Sequence, residues 1–191
     1  MDCRYGEAVT HEDPRVARTR NDVLNATIAV LIDEGWEAVT QPHIARVAGY
    51  SKATVYAHWP ERIDLLRDAF GRYGDMPHFA TTGDVRTDLI GELSSFRSAM
   101  VDHRLDRAMV VLAERASAVP EIIDIRDGFT LDGERPIREI LAQVFSGADL
   151  EAATLMLSGM VLHSVFMHGT PPSDNLIEAA VDMTLHRTST D

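Results

Sequence analysis

Apolar residues recur at helical spacing along most of the chain, and no stretch shows the alternation of a half-buried strand. Val23, Leu24, Ile28, Val30, Leu31 and Ile32 outline a first helix, which Gly35 stops. Residues 1–14 mix Asp, Glu, His and Gly, end at Asp13-Pro14, and read as a flexible tail, with structure starting near Arg15. Trp36 and Val39 lead to Thr40, whose hydroxyl can cap a second helix carrying Ile44, Ala45 and Ala48 on one face. Pro42 is tolerated in its first turn because that N–H has no intrahelical partner. Gly49 then supplies permissive backbone, and Ser51 can cap a third helix. That helix exposes Lys52, Ala53, Thr54, Tyr56 and His58 and turns Val55 and Trp59 inward, until Pro60 closes it. Ile63, Leu65, Leu66 and Phe70 form the core face of a fourth helix, which fades over residues 71–77.

Gly74, Pro77, Thr81, Thr82 and Gly83 mark a linker, which leaves an N-terminal module over residues 15–72 and a second helical domain over residues 84–188. Asp84 can cap a long helix burying Leu89, Leu93, Phe96 and Met100, and another runs from about Leu105 to Ala118. Pro120 opens a stretch through Ile122, Ile123 and Phe129 towards Val144. Gly128, Gly133 and Pro136 leave open whether this is one helix or two, since an interior proline costs about 3 kcal/mol. An apolar helix, Leu150 to Met167, and a final amphipathic one, Ser173 to Arg187, complete an all-α chain. The greasiest run, Leu155 to Met167, is interrupted by Ser158, Gly159, His163 and Ser164 and falls short of about 20 apolar residues, so no membrane span is expected.

Composition changes this picture in two places. The lone Cys3 cannot form an internal disulfide, and no basic region with an apolar run opens the chain, which suits a reducing cytoplasm. The net charge of -12 runs against nucleic-acid binding, but it is unevenly spread. Residues 1–72 hold 9 Lys and Arg against 11 Asp and Glu, so nearly all the surplus acid lies after Arg72.

Small, hydroxylated and cationic side chains on one exposed helix face are what a major-groove reader needs. The string Gly35, Thr40, Ile44-Ala45, Ala48-Gly49, Ser51-Lys52, Ala53-Thr54-Val55-Tyr56, His58 and Asp64-Leu65-Leu66 resembles the TetR/AcrR family of transcriptional regulators. The resemblance covers about the first seventy residues. It implies a helix-turn-helix module followed by a helical ligand-binding and dimerisation domain. It also implies a homodimer, paired through the last two helices, that represses from a pseudo-palindromic double-stranded operator and is released by a small-molecule inducer. By the same resemblance Lys52 and Ala53 face base edges. Thr40, Gln41, Tyr50, Ser51, Thr54, Tyr56, His58 and Arg62 complete the DNA-binding set, mostly as phosphate contacts. Three positions depart from the family pattern. Pro42 replaces a polar residue, His43 replaces the acidic member of a capping box, and Tyr50 either fills extra core or places a hydroxyl at the DNA backbone.

In the second domain Phe96, Met100, Met109, Phe129, Met156, Met160 and His163 are candidate ligand contacts, because thioethers and rings line adaptable cavities. His103, His163 and His168 have no Cys or carboxylate at tight ligand spacing, so neither a metal nor another cofactor is expected. No nucleophile elbow or phosphate loop points to an enzyme. The other reading is a helical protein that binds a ligand or another protein and has no sequence-specific DNA role.

Overall fold

A computed structural model describes residues 14–74 and 76–186, so the tail expected at residues 1–14 lies outside the described residues except for Pro14. Among the described residues there are nine α-helices, one 3-10 turn and no strand, the all-α class that the periodicity predicts. They form two compact units that divide between Leu65 and Leu66.

The first unit holds α1 (Pro14–Asp33), the 3-10 turn Trp36–Ala38, α2 (Gln41–Ala48), α3 (Lys52–His58) and the start of α4 (Arg62–Gly74). Val23, Leu24, Val30 and Leu31 of α1, Ile44 and Ala45 of α2 and Val55 of α3 are buried, and α2 packs on both α1 and α3. The local signals act as their chemistry requires. Thr40 has extended backbone and accepts from the His43 N–H at 3.4 Å. Gly49 ends α2 at φ 78°, in the left-handed region where a side chain is strained, and its N–H returns to the Ala45 carbonyl. Ser51 caps α3 by accepting from the Thr54 N–H at 3.0 Å.

The division of the chain falls inside α4, upstream of the boundary expected between residues 72 and 84. Glycine and proline there mark the end of a helix, and they carry no information about which core each turn of α4 joins. Leu65 and Leu66, on either side of the division, are both fully buried.

The second unit is built around α5 (Val85–Asp102), which packs against α6 (Leu105–Ala116), α7 (Pro120–Leu141), α8 (Gly147–His168) and α9 (Asp174–His186). Its core joins Leu89 and Leu93 of α5 to Ile137 and Leu141 of α7, Leu157 and Val161 of α8, and Ile177 and Val181 of α9. Two arginines tie α5 to the C-terminal region. Arg86 donates to both carboxylate oxygens of Asp182 at 2.6 and 3.0 Å, which holds that carboxyl below the usual range. Arg97 donates to the Pro172 carbonyl at 2.9 Å and to Asp174 at 2.7 Å.

The segment before α5 is clipped down by two buried carboxylates one turn apart. Asp88 accepts from the Thr82 N–H and hydroxyl, both at 2.7 Å, and from the Gly83 N–H at 3.1 Å. Glu92 accepts from the Phe79 N–H at 3.0 Å and pairs with His78 at 2.7 Å. Gly91 is required here, because a Cβ at that position would collide with the Phe79 ring.

The alternative left open for residues 120–144 is resolved. α7 is a single helix of 22 residues that runs through Gly128, Gly133 and Pro136. Ile122 and Ile125 before the proline and Ile137, Ile140 and Leu141 after it are buried. At about 1.5–3 kcal/mol for each, they outweigh about 3 kcal/mol for the proline and about 1 kcal/mol for each glycine. α8 begins earlier than expected, at Gly147, and its 22 residues are long and apolar enough to cross a bilayer by length and composition alone, a test that the core helix of a folded domain also passes. Its inner face, with Ala153, Leu157 and Val161, is buried in the unit, whereas Leu155, Met156, Phe166 and Met167 are exposed.

Candidate nucleic-acid interface and sensor cavity

α3 is short, capped at its start and anchored from below, which presents one face to solvent. Val55 and Trp59 are 0% and 2% exposed, while Ser51, Lys52, Ala53, Tyr56 and His58 are exposed. Thr54 is half-buried beside the cap, its hydroxyl 2.8 Å from that of Ser51. The His58 ring leans on Trp59 with centroids 5.4 Å apart. Thr40 is exposed at the start of α2. These seven residues lie at the helix-turn-helix surface, and Lys52 has no partner among the described residues.

The three remaining DNA candidates are engaged inside the unit. Gln41 is 8% exposed and donates from Nε2 to the Pro60 carbonyl at 3.2 Å, which fastens the start of α2 to the end of α3. The Tyr50 hydroxyl donates to Asp22 of α1 at 2.8 Å, an outcome outside the two alternatives left open by the sequence. The Arg62 guanidinium lies 4.2 Å from the Trp36 ring centroid and donates to the Trp36 carbonyl. His43 also has a structural part. It pairs with Glu34 at 2.9 Å through Nε2 and accepts from Arg46 at 3.0 Å through Nδ1, which joins the end of α1 to α2. That bond from Arg46 leaves Nε2 to carry the ring proton. Arg46 is exposed and was not among the sequence candidates, although a basic residue in the last turn of α2 was the available signal.

In the second unit a cavity of about 270 Å³ lies between α7 and the part of α4 after Leu66. Phe70, Tyr73 and Phe129 supply its rings, with Phe129 edge-on to each of the others at centroid distances of 6.0 Å. Arg67, His78, Asp124 and Asp132 add polar groups. Burial pushes the Tyr73 phenol up to about 12, against a lowering by Arg104 and with a smaller rise from Asp106. Its hydroxyl is buried with no hydrogen-bond partner among the described residues.

Of the seven ligand candidates only Phe129 lines this cavity. Met100 is 1% exposed in the core and borders a separate shallow groove, and Phe96, Met109 and Met160 pack against the core. Met156 is 60% exposed, and His163 is exposed on α8 beside His168, with ring centroids 5.0 Å apart. A helical period assigns these residues to faces, but it does not say which face meets a void. The cavity residues that sequence reasoning missed, Phe70, Tyr73, Asp124 and Asp132, had one usable signal. Gly128 and Gly133 lie inside a helix at positions where no turn needs them.

Comparison with known proteins agrees with this arrangement. Residues 23–69 match the model of bacterial regulatory proteins of the tetR family, and residues 79–184 match that of the tetracyclin repressor-like C-terminal domain. The chain is 31% identical over 182 residues to the HTH-type transcriptional regulator AqdR of Rhodococcus erythropolis, covering 90% of this chain and 86% of that one. It is 33% identical over 95 residues to the HTH-type transcriptional repressor LfrR of Mycolicibacterium smegmatis, covering 50% and 48% of the two chains. The solved TetR family transcription regulator SCO0332 superposes with a TM-score of 0.65 at 26% identity, over 88% of this chain and 97% of that one. With the capped reading helix and the second helical unit both matched, the chain belongs to the TetR family of HTH-type transcriptional regulators.

Proposed function

We propose that the protein is a ligand-responsive repressor that binds a pseudo-palindromic operator as a homodimer in the cytoplasm and is released by a small-molecule inducer, with no catalytic role. The observation that carries the DNA part is the exposed face of α3, where Lys52, Ala53, Tyr56 and His58 stand clear above the buried Val55 and Trp59. Lys52 suits guanine O6 and N7, and the Ala53 methyl suits a thymine methyl. Thr40, Ser51, Thr54, Tyr56 and His58, joined by Arg46, hold phosphates and set register. Gln41, Tyr50 and Arg62 act from behind, through Pro60, Asp22 and Trp36, so they position the reading helix.

The dimer part is supported by the outer faces of α8 and α9. Leu155, Met156, Met167, Leu176 and Met183 are 47% to 76% exposed there, an apolar surface that a second copy would cover. Dimerisation sets the spacing of two reading helices at about 34–36 Å, one turn of DNA. A ligand that prefers a conformation with another spacing lowers operator affinity by the same coupling free energy.

The deciding measurement is a fluorescence-anisotropy titration of genomic DNA fragments at several salt concentrations. Lys52→Ala should cost about 1–3 kcal/mol on the selected fragment and relax its sequence preference, while Tyr56→Ala weakens all sequences alike. Absence of any selective binding at low salt would overturn the reading.

A further inference from the structure

We infer that the cavity between α4 and α7 takes a small aromatic cation, an amine or quaternary ammonium on a one- or two-ring frame, with Asp124 as its counter-charge. The inference rests on the reading of the second unit as a sensor and names the ligand class of that site.

The first support is the space itself. Gly71, Gly128 and Gly133 line the cavity, and a Cβ at any of them would meet nothing within 4 Å. None has a positive φ, so neither backbone conformation nor close packing calls for glycine there. Each glycine weakens its helix relative to alanine. All three are exposed, so the room beside them is the open side of the cavity, where an occupant would rest against the helices.

The second support is charge. Asp124, Gly128 and Asp132 follow each other at four-residue steps of α7, so they share one stripe, with the two aspartates about 12 Å apart along the helix axis on either side of the glycine notch. Asp132 is paired with Arg135 at 3.3 Å, His78 with Glu92 at 2.7 Å, and Arg67 is engaged within the chain. Among the described residues, Asp124 is the charged group lining the cavity that has no partner. A cation would restore neutrality at this mouth, whereas an anion would face an uncompensated carboxylate.

The third support is the ring cluster. Phe129 is edge-on to both Phe70 and Tyr73, and the negative face of an aromatic ring attracts an ammonium group as well as stacking on a flat ligand. Carboxylate and rings together select for an apolar frame with one positive charge.

Three matched probes test this on the full-length protein by isothermal titration: naphthylmethylammonium, naphthylmethanol and naphthoate. The cation should bind the wild type about tenfold more tightly than the alcohol, with naphthoate weakest. The cation's advantage should shrink in high salt, because Asp124 is exposed. In Asp124→Asn the cation should fall to within about twofold of the alcohol, with the helical circular dichroism unchanged. Gly128→Leu, which fills the notch, should remove binding of all three. Equal affinity for the three probes, tightest binding of naphthoate, or an undiminished cation preference in Asp124→Asn would overturn the ligand class and leave the sensor site standing. Failure of every probe on the wild type, or wild-type affinity in Gly128→Leu, would overturn the cavity as a sensor site, and the ligand class with it.

Discussion

Glycine and proline do opposite things around α2 and inside α7. Between α2 and α3, Pro42 sits in a first turn and Gly49 stops a helix in the left-handed region, so each residue marks a boundary where a sequence rule puts one. In α7 the same residue types lie inside a helix that does not break. The difference is burial. Pro42 and Gly49 stand at the two ends of a short helix, whereas α7 has buried isoleucine and leucine on both sides of its proline. Interior glycine therefore has a different meaning from terminal glycine: it leaves space rather than turning the chain.

The largest test removes the packing that holds α7 together. Leu141→Ala deletes a fully buried side chain beyond Pro136 and should cost about 2–5 kcal/mol in denaturant unfolding. A cost under about 1 kcal/mol would mean that burial is not what carries the helix past its proline. A pair of glycine substitutions then separates the two roles by sign. Gly49→Val should destabilise by about 1–2 kcal/mol or more, since a β-branched residue is strained at φ 78°. Gly128→Ala should stabilise by up to about 1 kcal/mol, since its Cβ meets open space in a helix. Thermal melts of the two variants moving in the same direction would break the comparison.

Ser51→Ala removes the side-chain acceptor at the start of α3 and should cost about 1 kcal/mol. Its loss of DNA affinity should exceed that of Ser117→Ala, a control hydroxyl at the end of α6. The smallest effect is pH-dependent. Asp84, Asp88 and Asp182 are held below the ordinary 3.8, chiefly by hydrogen bonds from Thr87, from Thr82 and from Arg86 respectively. A carboxyl whose folded value is depressed contributes stability that is present above the unfolded value and lost as pH falls through the folded one. Melting temperature should therefore decline below about pH 4, and Asp88→Asn, which cannot accept from Thr82 and Gly83 in the same way, should flatten part of that decline. An acid limb unchanged in Asp88→Asn would show that the clip before α5 carries none of it.

Legibility follows the same line. The module around α3 could be read residue by residue, because a cap, a left-handed glycine and a proline stop act within four residues of themselves. The inward turn of Val55 and Trp59 was equally plain from helical spacing. Contacts that cross between helices were not. Gln41 with Pro60, Tyr50 with Asp22 and Arg62 with Trp36 are separated by 19, 28 and 26 residues, and no local pattern announces them. The cavity was harder still. Helical spacing and apolar character mark Phe129 and Met156 alike, yet Phe129 lines the cavity and Met156 faces solvent.

By itself the sequence determined where α2 and α3 start and stop, that the chain is helical, and that one exposed face carries Lys52, Ala53, Tyr56 and His58. These follow from preferences that act over a turn or two of chain. Only the tertiary structure decided that α7 stays whole, that Arg62 faces Trp36, and that the void lies beside Gly128 rather than beneath the methionines. Those outcomes depend on the sum of burial across helices distant in sequence, and that sum is evaluated only when the helices meet.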